Sequence, residues 1–371
     1  MATKDKGFLD ALKEVGQEKG IAPEVLFEAV EAALVSAYKR NFNTASNVRV
    51  YLERATGEFH VYAQKKDVEK VENKVTEISL LQAQKQFGES IVLDDVVEVE
   101  VTPANFGRIA AQTAKQVVVQ RIREAERGII YEEYSNRSSD ILTGTVQRME
   151  GHNVFIDLGK TEAVLAPSEQ ISTEQYKHND RIKVYVVEVK RTSKGPQILV
   201  SRTHPGLLKR LFELEVPEIQ EGTVEIKSVA REPGMRSKIA VFSANEEIDP
   251  VGSCVGQKGL RVQAVVDELR GEKIDIVKWN EDPAKYIANS LSPAKVVSVA
   301  VNEEKKMSRV IVPDYQLSLA IGKEGQNARL AAKLTGWKID IKSETQAAEE
   351  GFDSDDMNMV NVVSEESFSV D

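Results

Sequence analysis

The chain has 371 residues, 41% apolar and 29% charged, so we expect about two to four domains. Its net charge of −10 would argue against a nucleic-acid partner if it were evenly spread, and it contains no run of the roughly 20 uncharged apolar residues that cross a membrane. A charged N-terminus, one cysteine and four scattered histidines argue against a signal peptide, a disulfide framework and a zinc site. We therefore expect a soluble, cytoplasmic protein with no membrane partner, metal or cofactor.

The first 134 residues combine helical and strand-like patterns. Apolar residues recur at helical spacing in two stretches, the second beginning after Pro23, and then alternate as they do in strands. The predicted elements are helices over 8–17 and 25–40, strands over 48–52, 58–63 and 96–102, and a long helix over 105–134. We expect a mixed α/β N-terminal domain over 1–134.

The long helix carries two stripes. One is apolar and is expected to pack, and it comprises Ala111, Ala114, Val118, Ile122, Ala125 and Ile129. The other is polar and largely cationic, and it comprises Arg108, Gln112, Lys115, Arg123 and Arg127. From the residues alone, the second stripe is either a solvated face, which is the usual meaning of such a pattern, or a docking surface for an acidic partner.

A polar break at 135–139 is followed by five short strands with glycines at the corners, which predicts a small β-barrel of the OB type over 135–203. Phe155 is a candidate for stacking on RNA bases. The candidate polar and cationic neighbours are His152, Arg148, Lys190 and Arg202. The alternative is that Phe155 belongs to the barrel core and the cations are solvated.

Two similar α/β units follow, over 204–280 and 281–345. A G-x-x-G loop and a Lys-Ile-Asp-Ile segment occur in each unit, and the glycines of the two loops are 66 residues apart. A single G-x-x-G is common in tight turns, but two copies in the same context predict tandem KH domains of type II, whose loops let the backbone approach RNA phosphates. The candidate RNA-binding residues are Gly256, Gln257, Lys258, Gly259 and Arg261 in the first unit and Gly322, Lys323, Glu324, Gly325 and Arg329 in the second.

Most of the excess acidity lies at the C-terminus, where residues 344–371 contain nine carboxylates and neither lysine nor arginine. This composition predicts a disordered acidic tail, which we place at 346–371. The rest of the chain is nearly neutral. No catalytic motif is found in the sequence, and Cys254 has no histidine near it in sequence, so we expect a binding protein and not an enzyme.

The order of these segments resembles the bacterial NusA family of transcription termination/antitermination factors. The stretches that carry the resemblance are Phe106–Gln116, Arg123–Arg127, Val200–Pro205, Asp249–Gly256 and Asn280–Pro283. The resemblance implies that the N-terminal domain binds RNA polymerase, which favours the docking interpretation of the stripe from Arg108 to Arg127. It also implies that the barrel and the KH domains bind nascent single-stranded RNA.

The same resemblance implies that the protein prolongs hairpin-dependent pausing and modulates intrinsic termination and antitermination, alongside other elongation factors. We expect it to be a monomer when free. The alternative is an RNA-binding ribosome-assembly or translation factor that uses the same OB and KH modules. An exoribonuclease with such modules is a weaker alternative, because its catalytic core would need further residues.

Overall fold

The computed structural model describes residues 6–42, 47–88, 90–349, 358–361 and 368–369. Contacts within the chain divide it into two units, Met1–Ile130 and Tyr131–Asp371. In the described ranges, no helix is both long enough and apolar enough to cross a membrane.

The first unit is a mixed α/β domain, as the sequence predicts. Strand β2 pairs with β1 and β4 in antiparallel fashion and with β3 in parallel. The elements are α1 (Lys6–Lys19), α2 (Pro23–Phe42), β1 (Val48–Leu52), β2 (Phe59–Val68), β3 (Glu77–Ser79), α3 (Leu80–Phe87), β4 (Val96–Glu100) and α4 (Phe106–Ser135), the last of which continues into the second unit. Sequence patterns missed β3 and α3, because each is too short to show a clear period.

The packing face of α4 differs in part from the predicted stripe. Phe106, Ala110 and Ala114 are fully buried and pack with α2 and the sheet, whereas the predicted Ala111 and Ile129 are exposed. Phe106 sets the buried face, because residues four and eight positions later lie on the same side of a helix. The prediction is therefore confirmed at Ala114 and wrong at Ala111 and Ile129.

The second unit begins with a closed five-stranded barrel, which confirms the OB prediction. Its strands close in the order β5-β6-β7-β9-β8, with β7 and β9 parallel. The strands are β5 (Ile141–Glu150), β6 (Asn153–Asp157), β7 (Glu162–Leu165), β8 (Arg181–Thr192) and β9 (Gly195–Ser201). Inward-facing apolar residues fill the interior, among them Val146, Val154, Ile156, Leu165 and Ile198.

Two copies of one α/β unit follow, which confirms the predicted tandem KH domains. In each copy the first two strands are antiparallel and the third joins in parallel to the second. The first comprises α5 (Pro205–Glu215), α6 (Pro217–Gln220), β10 (Glu225–Glu232), β11 (Arg236–Phe242), α7 (Pro250–Val255), α8 (Leu260–Glu268) and β12 (Lys273–Lys278). The second comprises α9 (Pro283–Ser290), β13 (Ser298–Asn302), β14 (Met307–Val312), α10 (Leu317–Ile321), α11 (Gln326–Thr335) and β15 (Lys338–Ser343).

The two KH domains pack against each other. Buried Ala230, Ala240 and Val277 of the first sheet form one apolar cluster with Tyr286, Leu330 and Leu334 of the second domain. The Ser228 hydroxyl and the Tyr286 hydroxyl both donate to the backbone oxygen of Leu334, over 2.8 and 3.1 Å. The relative position of the two domains is therefore fixed by apolar and polar contacts together.

The C-terminal tail includes three short described elements. Helix α12 (Glu344–Glu349) follows β15, strand β16 (Asn358–Asn361) pairs with β13, and strand β17 (Phe368–Ser369) pairs with β12. The other residues of 346–371, on which much of the predicted disorder falls, lie outside the described ranges.

Candidate nucleic-acid interface

Helix α7 positions the first G-x-x-G loop. Asp249 caps this helix, because its carboxylate accepts from the backbone amides of Val251 and Gly252 at 3.0 Å each, and Pro250 occupies the first turn. Cys254 is fully buried on the core side of α7, and burial raises the pKa of its thiol to about 12. The cysteine is therefore a core residue, as predicted.

The two G-x-x-G loops have the same backbone conformation. We call Gly256–Gly259 the first loop and Gly322–Gly325 the second. The first glycines have φ, ψ of 73°, 179° and 76°, 170°, and the last glycines have 77°, 11° and 75°, 16°. Each loop ends where a helix begins, so its backbone amides lie at a helix N-terminus that favours anions.

The first glycine of each loop is required on two grounds. Its positive φ combined with an extended ψ is a conformation that is essentially restricted to glycine. In addition, a Cβ on Gly256 would lie 2.7 Å from Cγ of Arg261, and a Cβ on Gly322 would lie 2.8 Å from the backbone nitrogen of Asn327. Both contacts involve the fifth residue after the glycine, so Asn327, and not Arg329, is the structural counterpart of Arg261.

The side chains between the glycines are exposed in both loops, but their charges differ. Lys258 and Glu324 occupy equivalent positions with nearly identical left-handed φ values of 52° and 54°. Gln257 in the first loop corresponds to Lys323 in the second. Each loop therefore presents one lysine, and only the second also presents a carboxylate.

Both arginines predicted to bind phosphates lie next to the loops and are paired with carboxylates. Arg261 donates to Glu218 over 3.0 Å and to the backbone oxygen of Ser253 over 2.6 Å. Arg329 donates to Glu232 of the first KH domain over 2.6 Å, and this hydrogen bond holds the pKa of Glu232 below its usual value. Both arginines therefore form ion pairs beside the loops, with Glu218 and with Glu232, and these carboxylates offset much of their positive charge.

Phe155 lies on the outer surface of the barrel and not in its core. Its neighbours Val154 and Ile156 are fully buried, so the alternation of the strand turns Phe155 outward, where it is half-buried and lines a groove of about 580 Å³. The guanidinium of Arg148 lies 4.2 Å from the centre of the Phe155 ring and contacts Glu150 and Glu162. One face of Phe155 is therefore already covered by Arg148.

Two of the other barrel residues predicted to bind RNA are exposed. His152 lies in the turn between β5 and β6, and Lys190 lies on β8 with its ammonium 3.1 Å from Glu188. The structure therefore leaves both side chains accessible from the surface.

Arg202 does not reach the surface, which corrects its predicted place among the RNA-binding residues. Its side chain is completely buried and donates to Glu174, to the backbone oxygen of Lys183 and to Glu268 of α8. Lys183 also contacts Glu268, over 2.9 Å. Arg202 thus joins the barrel to the helix that starts at the first loop, and its distant carboxylate partners could not be identified from the sequence.

On α4, the predicted cationic stripe is present within the first unit. Arg108, Gln112, Lys115 and Arg123 are exposed, and Arg127 is half-buried. The same unit contains a cluster that the sequence did not indicate, in which possible metal-ligand atoms of Glu53, Glu58 and His60 lie within 4.8 Å of one another. These residues come together across the β1–β2 hairpin, and His60 is also 2.8 Å from Glu100.

Comparison with known proteins accounts for nearly the whole chain. Residues 7–128 match the NusA N-terminal domain, residues 137–201 the S1 RNA binding domain, and residues 202–279 and 283–349 the NusA-like first and second KH domains. The chain is 64% identical to the transcription termination/antitermination protein NusA of Halalkalibacterium halodurans, over 94% of this chain and 91% of the relative.

It is also 64% identical to the protein of the same name from Bacillus subtilis, over 92% of each chain, and 44% identical to that of Thermus thermophilus, over 90% of this chain and 89% of the relative. These names describe a transcription factor and not an enzyme, in agreement with the sequence prediction. The chain belongs to the NusA family of transcription termination/antitermination proteins.

Proposed function

We propose that this protein is a transcription elongation factor that binds RNA polymerase through residues 1–134 and nascent single-stranded RNA through the barrel (135–203) and the KH domains (204–280 and 281–345). It prolongs hairpin-dependent pausing and thereby modulates intrinsic termination and antitermination. The observation that carries the proposal is the pair of G-x-x-G loops with matching backbone angles and exposed lysines.

The loops bind the RNA backbone. The positive φ of Gly256 and Gly322 sets the loop backbone so that a phosphate can approach the amides at the start of α8 and α11. Lys258 and Lys323 add positive charge at the same place, and bases lie along the apolar groove beside each loop. Phe155 offers a further stacking surface on the barrel once Arg148 moves from its ring.

The N-terminal domain supplies the polymerase contact. Exposed Arg108, Lys115 and Arg123 project from one stripe of α4, which suits an acidic protein surface. Binding to polymerase would hold the RNA-binding surfaces near the emerging transcript, where their effective concentration for RNA is high. Moderate affinity of each loop is then sufficient.

The test is a transcription assay that measures the lifetime of a hairpin pause with the full-length protein. We expect the wild type to lengthen the pause, and the double variant Lys258→Glu, Lys323→Glu to lose this effect while it still binds polymerase. Lys333→Glu, an exposed charge reversal near the other end of α11, is the control and should behave as the wild type. The alternative role in ribosome assembly or translation predicts no change in pause lifetime, and that result would reject the proposal.

A further inference from the structure

Two strands of the C-terminal tail extend the sheets of the KH domains. Strand β16 pairs with β13 over four residue pairs, and β17 pairs with β12 over two, which join Ser369 to Asp275 and Phe368 to Ile276. Each tail strand is antiparallel to its neighbour and lies at the end of a four-stranded sheet, in the orders β10-β11-β12-β17 and β15-β14-β13-β16. The tail thus covers one sheet edge in each KH domain.

The two covered edges are not equivalent. Strand β12 of the first KH domain corresponds to β15 of the second, because both contain the Lys-Ile-Asp-Ile segment and both join the middle strand of their sheet in parallel. The tail covers β12 in the first domain, whereas in the second it covers β13, at the opposite side of the sheet. Within the part of the chain that the structure describes, β15 pairs only with β14. The tail therefore distinguishes the first KH domain from the second.

The covered strand β12 lies beside the helices that flank the first loop. Ile276 is fully buried and belongs to one apolar cluster with Cys254 of α7 and Val262 of α8. The outer edge of a strand at the end of a sheet presents a row of backbone N–H and C=O groups. Unpaired RNA bases bind proteins through donors and acceptors of the same kind. A base beside the first loop and a tail strand would therefore compete for the same backbone groups of β12.

We propose that the outer edge of β12 is a docking site for an extended acidic segment, and that its occupant is this chain's own strand β17. While β17 is docked, RNA is excluded from this edge, and RNA that binds there displaces the strand. Three carboxylates of the tail lie within three positions of β17 in the sequence, on Glu365, Glu366 and Asp371, and their charge opposes a phosphate that approaches the same edge. This inference rests on the proposed RNA binding and adds a competitor that acts on the first KH domain.

The docked strand is held weakly but is kept close. Only two residue pairs join β17 to β12, so a ligand that contacts the protein through several nucleotides can displace it. Strand β16 anchors the tail nearby, because Phe368 follows Asn361 by seven positions, a stretch that spans at most about 25 Å. The docking is therefore intramolecular, and the effective concentration of β17 at the edge of β12 is high.

Docking is tested without RNA, by hydrogen exchange of the full-length protein. The double variant Phe368→Pro, Ser369→Pro removes both N–H groups of β17 and changes no charge. Because successive residues of a strand alternate in direction, one of the amides of Asp275 and Ile276 points towards β17. That amide should exchange about fivefold faster in the double variant, the factor for one net backbone hydrogen bond. The amide of Ile341, the counterpart of Ile276 in β15, is the control and should not change. Equal exchange of both β12 amides in the two proteins would overturn the docking.

Competition with RNA is tested by fluorescence anisotropy of the full-length protein with a labelled RNA of eight uridines. The double-proline variant should bind this RNA about fivefold more tightly than the wild type. The gain should persist when Lys323→Glu disables the second loop and should vanish when Lys258→Glu disables the first.

The inference is overturned if the two prolines leave RNA affinity unchanged, or if their effect survives Lys258→Glu, because the tail would then not act at the first KH domain. Failure of both the wild type and the double-proline variant to bind RNA would instead refute the proposed function. The two failures are distinguishable, since the exchange measurement reports docking of β17 in the absence of RNA.

Discussion

Replacing Gly322 by alanine should destabilise the second KH domain far more than the same change at Gly325, three residues later. At Gly322 alanine would have to adopt φ 76° and ψ 170°, at a cost of roughly 1–3 kcal/mol. Its Cβ would also lie 2.8 Å from the backbone nitrogen of Asn327, which forces the first turn of α11 to shift and adds about 1–3 kcal/mol. We expect a total of about 4 kcal/mol.

Gly325 provides the matched control in the same loop. Its φ is also positive, at 75°, but a Cβ there meets no atom within 4 Å. Gly325→Ala should therefore reduce stability only because alanine must adopt a left-handed backbone conformation, which costs roughly 1–2 kcal/mol. The difference between the two variants isolates the contact with Asn327 from the conformational preference of glycine.

Native-state hydrogen exchange of the full-length protein measures both variants, because it reports the opening free energy of each segment without requiring two-state unfolding. A loss of 4 kcal/mol in Gly322→Ala should accelerate exchange of the α11 amides by about a thousandfold, since about 1.4 kcal/mol corresponds to a factor of ten. Gly325→Ala should accelerate it by about tenfold, and amides of the barrel should be unchanged in both. Equal rates in the two variants would refute the steric reasoning.

Three further changes test the charges around the loops. Glu324→Lys should tighten RNA binding and steepen the slope of log affinity against log salt by about 0.7, and Glu324→Gln should give intermediate values in the same anisotropy titrations. If the second loop does not contact RNA, neither variant will differ from the wild type. Because the hydrogen bond from Arg329 lowers the pKa of Glu232 from 4.5, the stability that this contact adds is complete above about pH 4.5 and is lost as pH falls through the lower folded pKa. Thermal unfolding across this range should therefore show that Glu232→Gln loses less stability on acidification than the wild type does. Arg202→Met leaves the buried Glu174 without its cation, so the opening free energy of the barrel, measured by hydrogen exchange, should fall by about 3–5 kcal/mol. If Arg202 were exposed, the same change would lower it hardly at all.

Sequence patterns predicted much of this fold, because turns, helices and strands depend mainly on residues that are close together in the sequence. The glycines of the loops and the Lys-Ile-Asp-Ile segments recur at nearly the same offset, and the structure shows that each pair plays the same role in its domain. Phe155 was ambiguous in sequence, since an aromatic residue suits a strand whether it faces inward or outward. Only the barrel decides the question, by burying Val154 and Ile156 on the other side.

Long-range ion pairs are what the sequence could not show. Arg202, Arg261 and Arg329 all looked like exposed cations near candidate RNA sites, yet the structure pairs each with a carboxylate at least 28 residues away in sequence. A cation is available to RNA only if the fold gives it no such partner, and no periodic pattern encodes that partner. Lysines in tight loops are the safer prediction, because their neighbours in space are mostly their neighbours in sequence.

The two KH domains also show how a repeat can change its charges while keeping its backbone. The conserved loop angles preserve the approach to phosphates, but Glu324 replaces the lysine of the first loop and Asn327 replaces Arg261. Taken alone, the second loop would be the weaker anion site, since its extra carboxylate opposes a phosphate.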